Sequence, residues 1–369
     1  MKQASVSGLE GVVAAETKIG LVDGEIGQLV YRGHYARRLA VSRSFEETAY
    51  LLWYGALPGK EQLTAFKARL AKHRKLTPEL RRLMDAIPEE TPPMSAAMSV
   101  VAALQGSEGM TAWPPSAEQA ERLTAVLPVI VAYRHHLQNG TEYPEQAAET
   151  DHVAHYLHLL FGRPAWAPHV RAMNAYMVLA MEHGLNASTF AARVVASTGS
   201  DIHSAVGAAI GAMKGPLHGG APSGVIKLLE EIGSKDNAEP YMRSLLERGE
   251  RLMGFGHRIY KTSDPRAEAL REVTAGLAKD DPWLDLAQHA EREAIRLLEE
   301  YKPGRKLFTN VEFYAAAVMR AVRMPPVLFT PTFTAARVVG WTAHVLEQSQ
   351  HNRIFRPQSV YIGPAPSGD

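Results

Sequence analysis

Cysteine is absent from all 369 residues. That excludes disulfides, thiolate nucleophiles, iron–sulfur clusters and thiolate metal sites together, and it points to a reducing, cytoplasmic setting. Net charge is nearly absent as well: 40 basic side chains stand against 39 acidic ones, a formal +1. No overall field therefore favours nucleic acid or an anionic membrane. Apolar runs fall well short of the roughly 18 residues of a membrane span, and the longest candidate, "AVLPVIVAY", is interrupted by Pro128. Glu10 and Glu16 lie where a secretory signal would be apolar. Internal repeats and low-complexity tracts are missing too.

What is present is mostly helix, on a chain long enough for a large core and about two to three domains. "SFEETAYLLWYG" opens with Ser44 and Glu47 at capping-box spacing and closes at Gly55, and "TPELRRLMDAI" starts with a Thr77 cap and Pro78 at the first helical position. Near the N-terminus, "TKIGLVDGEIGQLVY" carries two strand-like runs around Asp23-Gly24, which suits a tight hairpin. The basic run "KARLAKHRK" has Leu63, Phe66 and Leu70 at helical spacing and reads as a solvated helix face. His135 and His136 are neighbours on one helix and read as surface or helix-end polarity. From about residue 222 the helices become charged and amphipathic, and after Met324 they become apolar again. The pattern predicts a large helical domain, 1–221 and 323–369, with a smaller one inserted at 222–322, an arrangement suited to a closing cleft.

Four segments break the packing pattern: "MEHGLNAST", "GPLHGGA", "GFGHRIYKTSDPR" and "TNVEFY". In three of them a histidine, His183, His218 or His257, lies beside glycine, and together they suggest one shared site. They lack the spacing and partners of a metal centre, so no metal is expected. Asp264 reads as a helix N-cap with Pro265 following, which leaves Arg266 in the first turn, where the macrodipole disfavours a cation and an anionic ligand would offset the cost. Arg337 is placed similarly if Thr332 or Thr334 caps its helix. Asn310 can cap the helix that Glu312 enters, and a general base needs such a location to stay ionised.

These segments, with "FTPTFTAARVVGWTAH" and "RPQSVYIG", resemble the citrate synthase family over nearly the whole chain. The resemblance implies an all-α fold with a large domain, an inserted small domain and a short N-terminal β-hairpin, assembled as a homodimer. It implies condensation of acetyl-CoA with oxaloacetate and hydrolysis of the citryl thioester, with CoA as co-substrate, no permanently bound cofactor, and no nucleic-acid or membrane partner. By position, His218 would hydrogen-bond the thioester oxygen, Glu312 would be the base, and His257 would polarise the ketone and protonate the developing alkoxide. His183, Arg266, Arg337 and, from the partner subunit, Arg356 would hold carboxylates. Lys261 matches a cation near the CoA phosphates, and Gly254, Phe255 and Gly256 match the adenine-side loop. The family's usual base is aspartate, in "NVDFY", whereas this chain has "NVEFY". One methylene moves the carboxylate by about 1 Å, a displacement that can cost about 100-fold. A 2-methylcitrate synthase using propionyl-CoA, or a weakly active sensor of CoA esters or dicarboxylates, are the alternatives.

Overall fold

The computed structural model describes residues 7–9, 11–107, 113–145, 149–219, 221–257, 259–275, 281–305 and 307–364. Gly220 and Arg258, inside two of the motifs above, lie outside the described residues. The chain opens on a small antiparallel sheet, β1 (Gly20–Asp23), β2 (Gln28–Tyr31) and β3 (His34–Tyr35), in sequential order. Helices follow: α1 (Ala36–Ser42), α2 (Phe45–Tyr54), α3 (Lys60–Lys72), α4 (Pro78–Ala86), α5 (Pro93–Leu104), α6 (Ala117–Asn139), α7 (His152–Phe161) and α8 (Ala167–Ala180). They continue as α9 (Ala187–Ser197), α10 (Ile202–Met213), α11 (Ala221–Ile232), α12 (Lys235–Glu247), α13 (Pro265–Ala275), α14 (Pro282–Tyr301), α15 (Val311–Ala321) and α16 (Phe329–Gln350). Among the described residues, no helix is long and apolar enough to cross a membrane.

Local signals set several boundaries. The capping box of Ser44 and Glu47 starts α2, and Gly55 ends it in the left-handed region at φ 83°. Thr77 accepts from the Leu80 amide to start α4. Pairing of Asp23 with Gln28 makes the hairpin loop longer than the Asp-Gly dipeptide suggests, and the left-handed residue is Gly27, φ 67°. Asp23 Oδ1 closes the loop instead, accepting from the amides of Glu25 and Ile26. His136 also differs from expectation, because its ring is buried and both nitrogens are used, on Thr141 Oγ1 at 2.7 Å and the Leu159 carbonyl at 2.8 Å.

Helix α16 runs through the core and packs on α9, α6, α10, α2 and α8. Its passage is tight at Gly340, where a Cβ would lie 2.2 Å from the Met181 carbonyl oxygen. Helix α15 packs on α13, α11 and α8, so its N-terminus and the C-terminal end of α8 approach the same place. There the site forms.

Candidate active site

A cavity of about 130 Å³ is lined by Tyr176, Ala180, His218, Arg266, Glu312, Phe333 and Arg337, among others. His218 reaches it from a turn in which the amides of His218 and Gly219 both donate to the Gly215 carbonyl, at 3.0 and 3.2 Å. Gly219 has no room for a side chain: a Cβ there would lie 2.3 Å from the Met213 carbonyl oxygen and 2.7 Å from Thr330 Cγ2. The glycines therefore let the turn press against α10 and α16. Ser188 Oγ meets His218 Nε2 at 2.7 Å and is itself held by Trp341 Nε1, which donates at 3.0 Å, and by Asn186 Oδ1 at 2.8 Å. Since Nε2 is occupied by Ser188, Nδ1 is the nitrogen left for a ligand.

His257 has its tautomer fixed by the backbone. Nδ1 accepts from the amides of Ile259 and Tyr260, both at 3.0 Å, so a neutral ring carries its proton on Nε2. Arg266 Nη2 stands 3.2 Å from that Nε2. Two donors meet there, and an acceptor oxygen beside the pair, within reach of both, would satisfy them. Burial, then the charge of Arg266, pushes His257 down to about 4. Burial, then Arg337, does the same to His218, also to about 4. His183 is shifted well below its ordinary value by burial, with Arg266, Arg337 and His257 adding to it. Its Nε2 lies 3.1 Å from the Tyr260 hydroxyl, and its ring stands 5.8 Å from that of His257. All three rings are uncharged hydrogen-bonding groups near neutral pH.

Arg266 is bound on two sides by the buried Asp264, through Nε at 3.0 Å and Nη2 at 2.8 Å. Burial alone would strip charge from both partners, but their mutual attraction outweighs it and Asp264 is held below its ordinary value. Asp264 does more than the N-cap role foreseen for it, since Oδ2 also accepts the Val311 amide at 3.0 Å and so caps α15. Asn310 makes no side-chain cap, and its Nδ2 donates to the Gly256 carbonyl instead. Arg337 also departs from expectation. With α16 starting at Phe329, it lies well inside the helix and buried, its Nε donating to the Ala180 carbonyl at 2.5 Å. Its guanidinium lies 4.7 Å over the Phe333 ring, and burial pushes it down to about 10.

Glu312 enters the cavity in the first turn of α15. Its Oε2 is shielded from water and has no hydrogen-bond partner among the described residues. Burial raises its pKa, an effect Arg266 only partly offsets, so the helix terminus does not keep the carboxyl at its ordinary value. A buried carboxylate oxygen without a hydrogen bond is costly, and its persistence in a cavity is a mark of function.

Gly254, φ 92°, and Gly256, φ 79°, flank Phe255, which bridges to Thr309 and packs on Phe313, so this loop runs beside the segment leading into α15. Lys261 lies outside the cavity, exposed and paired with Glu25 of the hairpin. Arg356 is exposed on the extended C-terminal segment and lines a different cleft, with Lys18, Arg193 and Glu347. Its own chain does not bring it to the site. Among the described residues no cluster of His, Asp or Glu could hold a metal ion. Sequence reasoning missed Ser188, Tyr260 and Trp341, which fix the imidazoles, although Ser188 and Tyr260 lie in two of the four singled-out segments.

The hairpin braces the His257 loop directly. The Lys261 amide donates to the Gly24 carbonyl at 2.9 Å, and a Cβ on Gly24 would lie 2.2 Å from the Ile259 carbonyl oxygen. Gly24→Ala is therefore expected to displace the backbone that holds His257 and to lower kcat/KM by about 10- to 100-fold. Circular dichroism should show the helices intact.

A neutral imidazole, two buried arginines and a carboxylate oxygen without a partner line one cavity, the groups of a site that handles protons and negative charge. The chain belongs to the citrate synthase family, whose members transfer an acyl group in a condensation: the family profile "Citrate synthase, C-terminal domain" matches residues 8–358. It is 40% identical to citrate synthase 2 of Bacillus subtilis, over 97% of this chain and 95% of that one. It is 38% identical to the 2-methylcitrate synthase of Shewanella oneidensis, over 99% and 96%. The citrate synthase of Thermoplasma acidophilum, solved as a ternary complex with carboxymethyl coenzyme A and oxaloacetate, superposes with a TM-score of 0.89 at 30% identity, covering 99% of this chain and 98% of that one. In this family CoA is a co-substrate, and no permanent cofactor is required.

Proposed function

We propose that the chain condenses acetyl-CoA with oxaloacetate and water to give citrate and CoA. The observation that carries this reading is the unpartnered Oε2 of Glu312 in one cavity with His218, Arg266 and Arg337. Glu312 takes a proton from the acetyl methyl, and His218 donates from Nδ1 to the thioester oxygen as negative charge gathers there, in the tautomer whose Nε2 accepts the Ser188 hydroxyl once that hydroxyl turns from Asn186 Oδ1. The methyl carbon then attacks the ketone carbon of oxaloacetate, whose oxygen lies beside His257 Nε2 and Arg266 Nη2 within reach of both, and the alkoxide takes the Nε2 proton of His257, which is restored from water as Glu312 releases the proton it took. Water cleaves the citryl thioester and releases CoA. His183, Arg266 and Arg337 hold the carboxylates, and uncharged imidazoles donate without adding a further positive charge to a buried site that already holds two arginines.

The working unit in this reading is a homodimer in which Arg356 completes the partner's site. The extended C-terminal segment exposes Ile354, Val360, Tyr361 and Ile362, an apolar surface suited to a second subunit. Segment 222–322 acts as the closing small domain. Lys261 and the loop Gly254–Phe255–Gly256 receive CoA, whose phosphate displaces Glu25 from Lys261.

Steady-state CoA release with oxaloacetate, read by a thiol reagent to which this chain adds no background, tests the reading. Higher kcat/KM for acetyl-CoA than for propionyl-CoA is expected. The reverse order moves the assignment to 2-methylcitrate synthesis, and no release from folded, dimeric protein overturns both.

A further inference from the structure

Glu182 is completely buried beside His183, yet the chemistry above makes no use of it. Its Oε1 accepts the Gly184 amide at 2.6 Å, and its Oε2 meets Nε2 of the completely buried His344 at 3.1 Å. On its other side, His344 Nδ1 meets Arg193 Nη1 at 2.9 Å. A guanidinium only donates, so Nδ1 is the acceptor and the ring proton sits on Nε2, aimed at Glu182. Arg193 Nη1 also donates to Glu347 Oε2 at 2.9 Å, and its Nε to Gln348 Oε1 at 3.1 Å. Glu347 accepts the Lys18 amide at 2.8 Å, and Gln348 Nε2 donates to Asn352 Oδ1 at 3.1 Å. A row of groups, each with an assigned direction, thus joins the root of the C-terminal segment to the His183 loop, with Glu182, His344, Arg193 and Gln348 buried and Glu347 half-buried.

Little slack surrounds the inner end. A Cβ on Gly340 would lie 2.9 Å from Glu182 Oε2, and one on Gly20 would lie 3.0 Å from Glu182 Cγ. Gly184, whose amide Glu182 holds, is left-handed at φ 61°, so this bond braces the turn that directs the His183 ring. Buried ion rows contribute little net stability, because desolvation offsets attraction. Position is the better reason for having one here.

We infer that Glu182 and His344 are positioning residues for the dicarboxylate site, and that the row Glu182–His344–Arg193–Glu347 sets the aim of His183. This rests on the reading of His183 as a ligand of oxaloacetate. In His344→Leu the row is broken, and the KM for oxaloacetate is expected to rise by about 10- to 100-fold while that for acetyl-CoA stays within about twofold. His344→Gln, whose amide nitrogen donates to Glu182 and whose oxygen accepts from Arg193, should recover most of the loss. Equal behaviour of Leu and Gln, or no change in either, overturns the inference. If the Leu variant does not fold, Glu182→Gln serves in its place, since it keeps the shape and the Gly184 bond but turns an amide donor toward His344 Nε2–H. The same KM rise is expected there, and an unchanged KM overturns the inference. Calorimetric titration of the unsubstituted protein with oxaloacetate separates the two levels: no binding refutes the reading of His183 itself, whereas binding with unaltered variants refutes only the row.

Discussion

Glu312→Gln is expected to lower kcat by about 10²- to 10⁴-fold, the usual worth of a positioned base, with the fold and oxaloacetate binding retained. Glutamine matches the size of the side chain and leaves the cap on α15 alone, because Asp264 supplies that cap through the Val311 amide. What it removes is the ability to take a proton from carbon. The pH profile carries the sharper signature. Burial raises the Glu312 pKa above its ordinary value of 4.5, and a base must be deprotonated to act, so kcat/KM should fall on the acid side along a limb lying above 4.5. His218 and His257, at about 4, become charged only at the acid end of the profile and add no limb near an ordinary histidine value. Measuring kcat/KM with acetyl-CoA from about pH 4 to 8 checks both points. A limb near 6.5 that persists in the Gln variant would assign the ionisation to a histidine and remove Glu312 as the base. Glu312→Asp should keep the acid limb while changing kcat, since one methylene shifts the carboxylate by about 1 Å.

The parts of this site that depend on local chemistry were legible before any fold was known. Glycines around His218 and the Asp264-Pro265 start of α13 are short-range signals, and the structure uses them as such. Three histidines in segments that packing did not explain do converge, His183 and His257 within 5.8 Å and His218 on the cavity beside Arg266. What escaped depends on pairs far apart in sequence. Asp264 caps a helix that starts more than 40 residues later, and no spacing rule announces that. Asn310 has the right side chain at the right place for the same task, but the Gly256 carbonyl claims it. Arg337 looked like a helix-terminus cation because the start of α16 was placed too late, and its real setting is an apolar helix interior where the Ala180 carbonyl and the Phe333 ring receive it. The ionisation of Glu312 was read from the helix terminus alone. Burial, a property of the assembled cavity, runs the other way.

Asp264→Asn should be the most damaging single-atom change in the protein, because one carboxylate serves three ends. It neutralises the buried Arg266, accepts that residue's own amide at 3.0 Å, and caps α15. Removing one partner of a buried pair leaves an uncompensated charge at a cost of about 3–5 kcal/mol, and the thermal midpoint near neutral pH should fall accordingly. The acid dependence follows from the direction of the shift. Asp264 is held below its ordinary value in the folded chain: burial, the largest single effect, raises it, and the charge and hydrogen bonds of Arg266 together with His257 outweigh that. As the pH falls, the unfolded chain takes up this proton first. The contribution of the pair is thus fully present above about pH 4, the ordinary Asp value, and is lost as the pH drops through the depressed folded value. The gap in stability between parent and Asn variant should therefore be widest near neutral pH and shrink in acid, which denaturant titrations at a series of pH values would show. A gap independent of pH would mean that the carboxylate acts there by shape alone. Activity should fall further than stability explains, because Arg266 without its anchor no longer fixes the gap beside His257 Nε2 and α15 no longer starts where Glu312 is aimed at the cavity. Oxaloacetate brings two carboxylates of its own, so saturating oxaloacetate should return part of the lost thermal stability to the Asn variant while its kcat stays low.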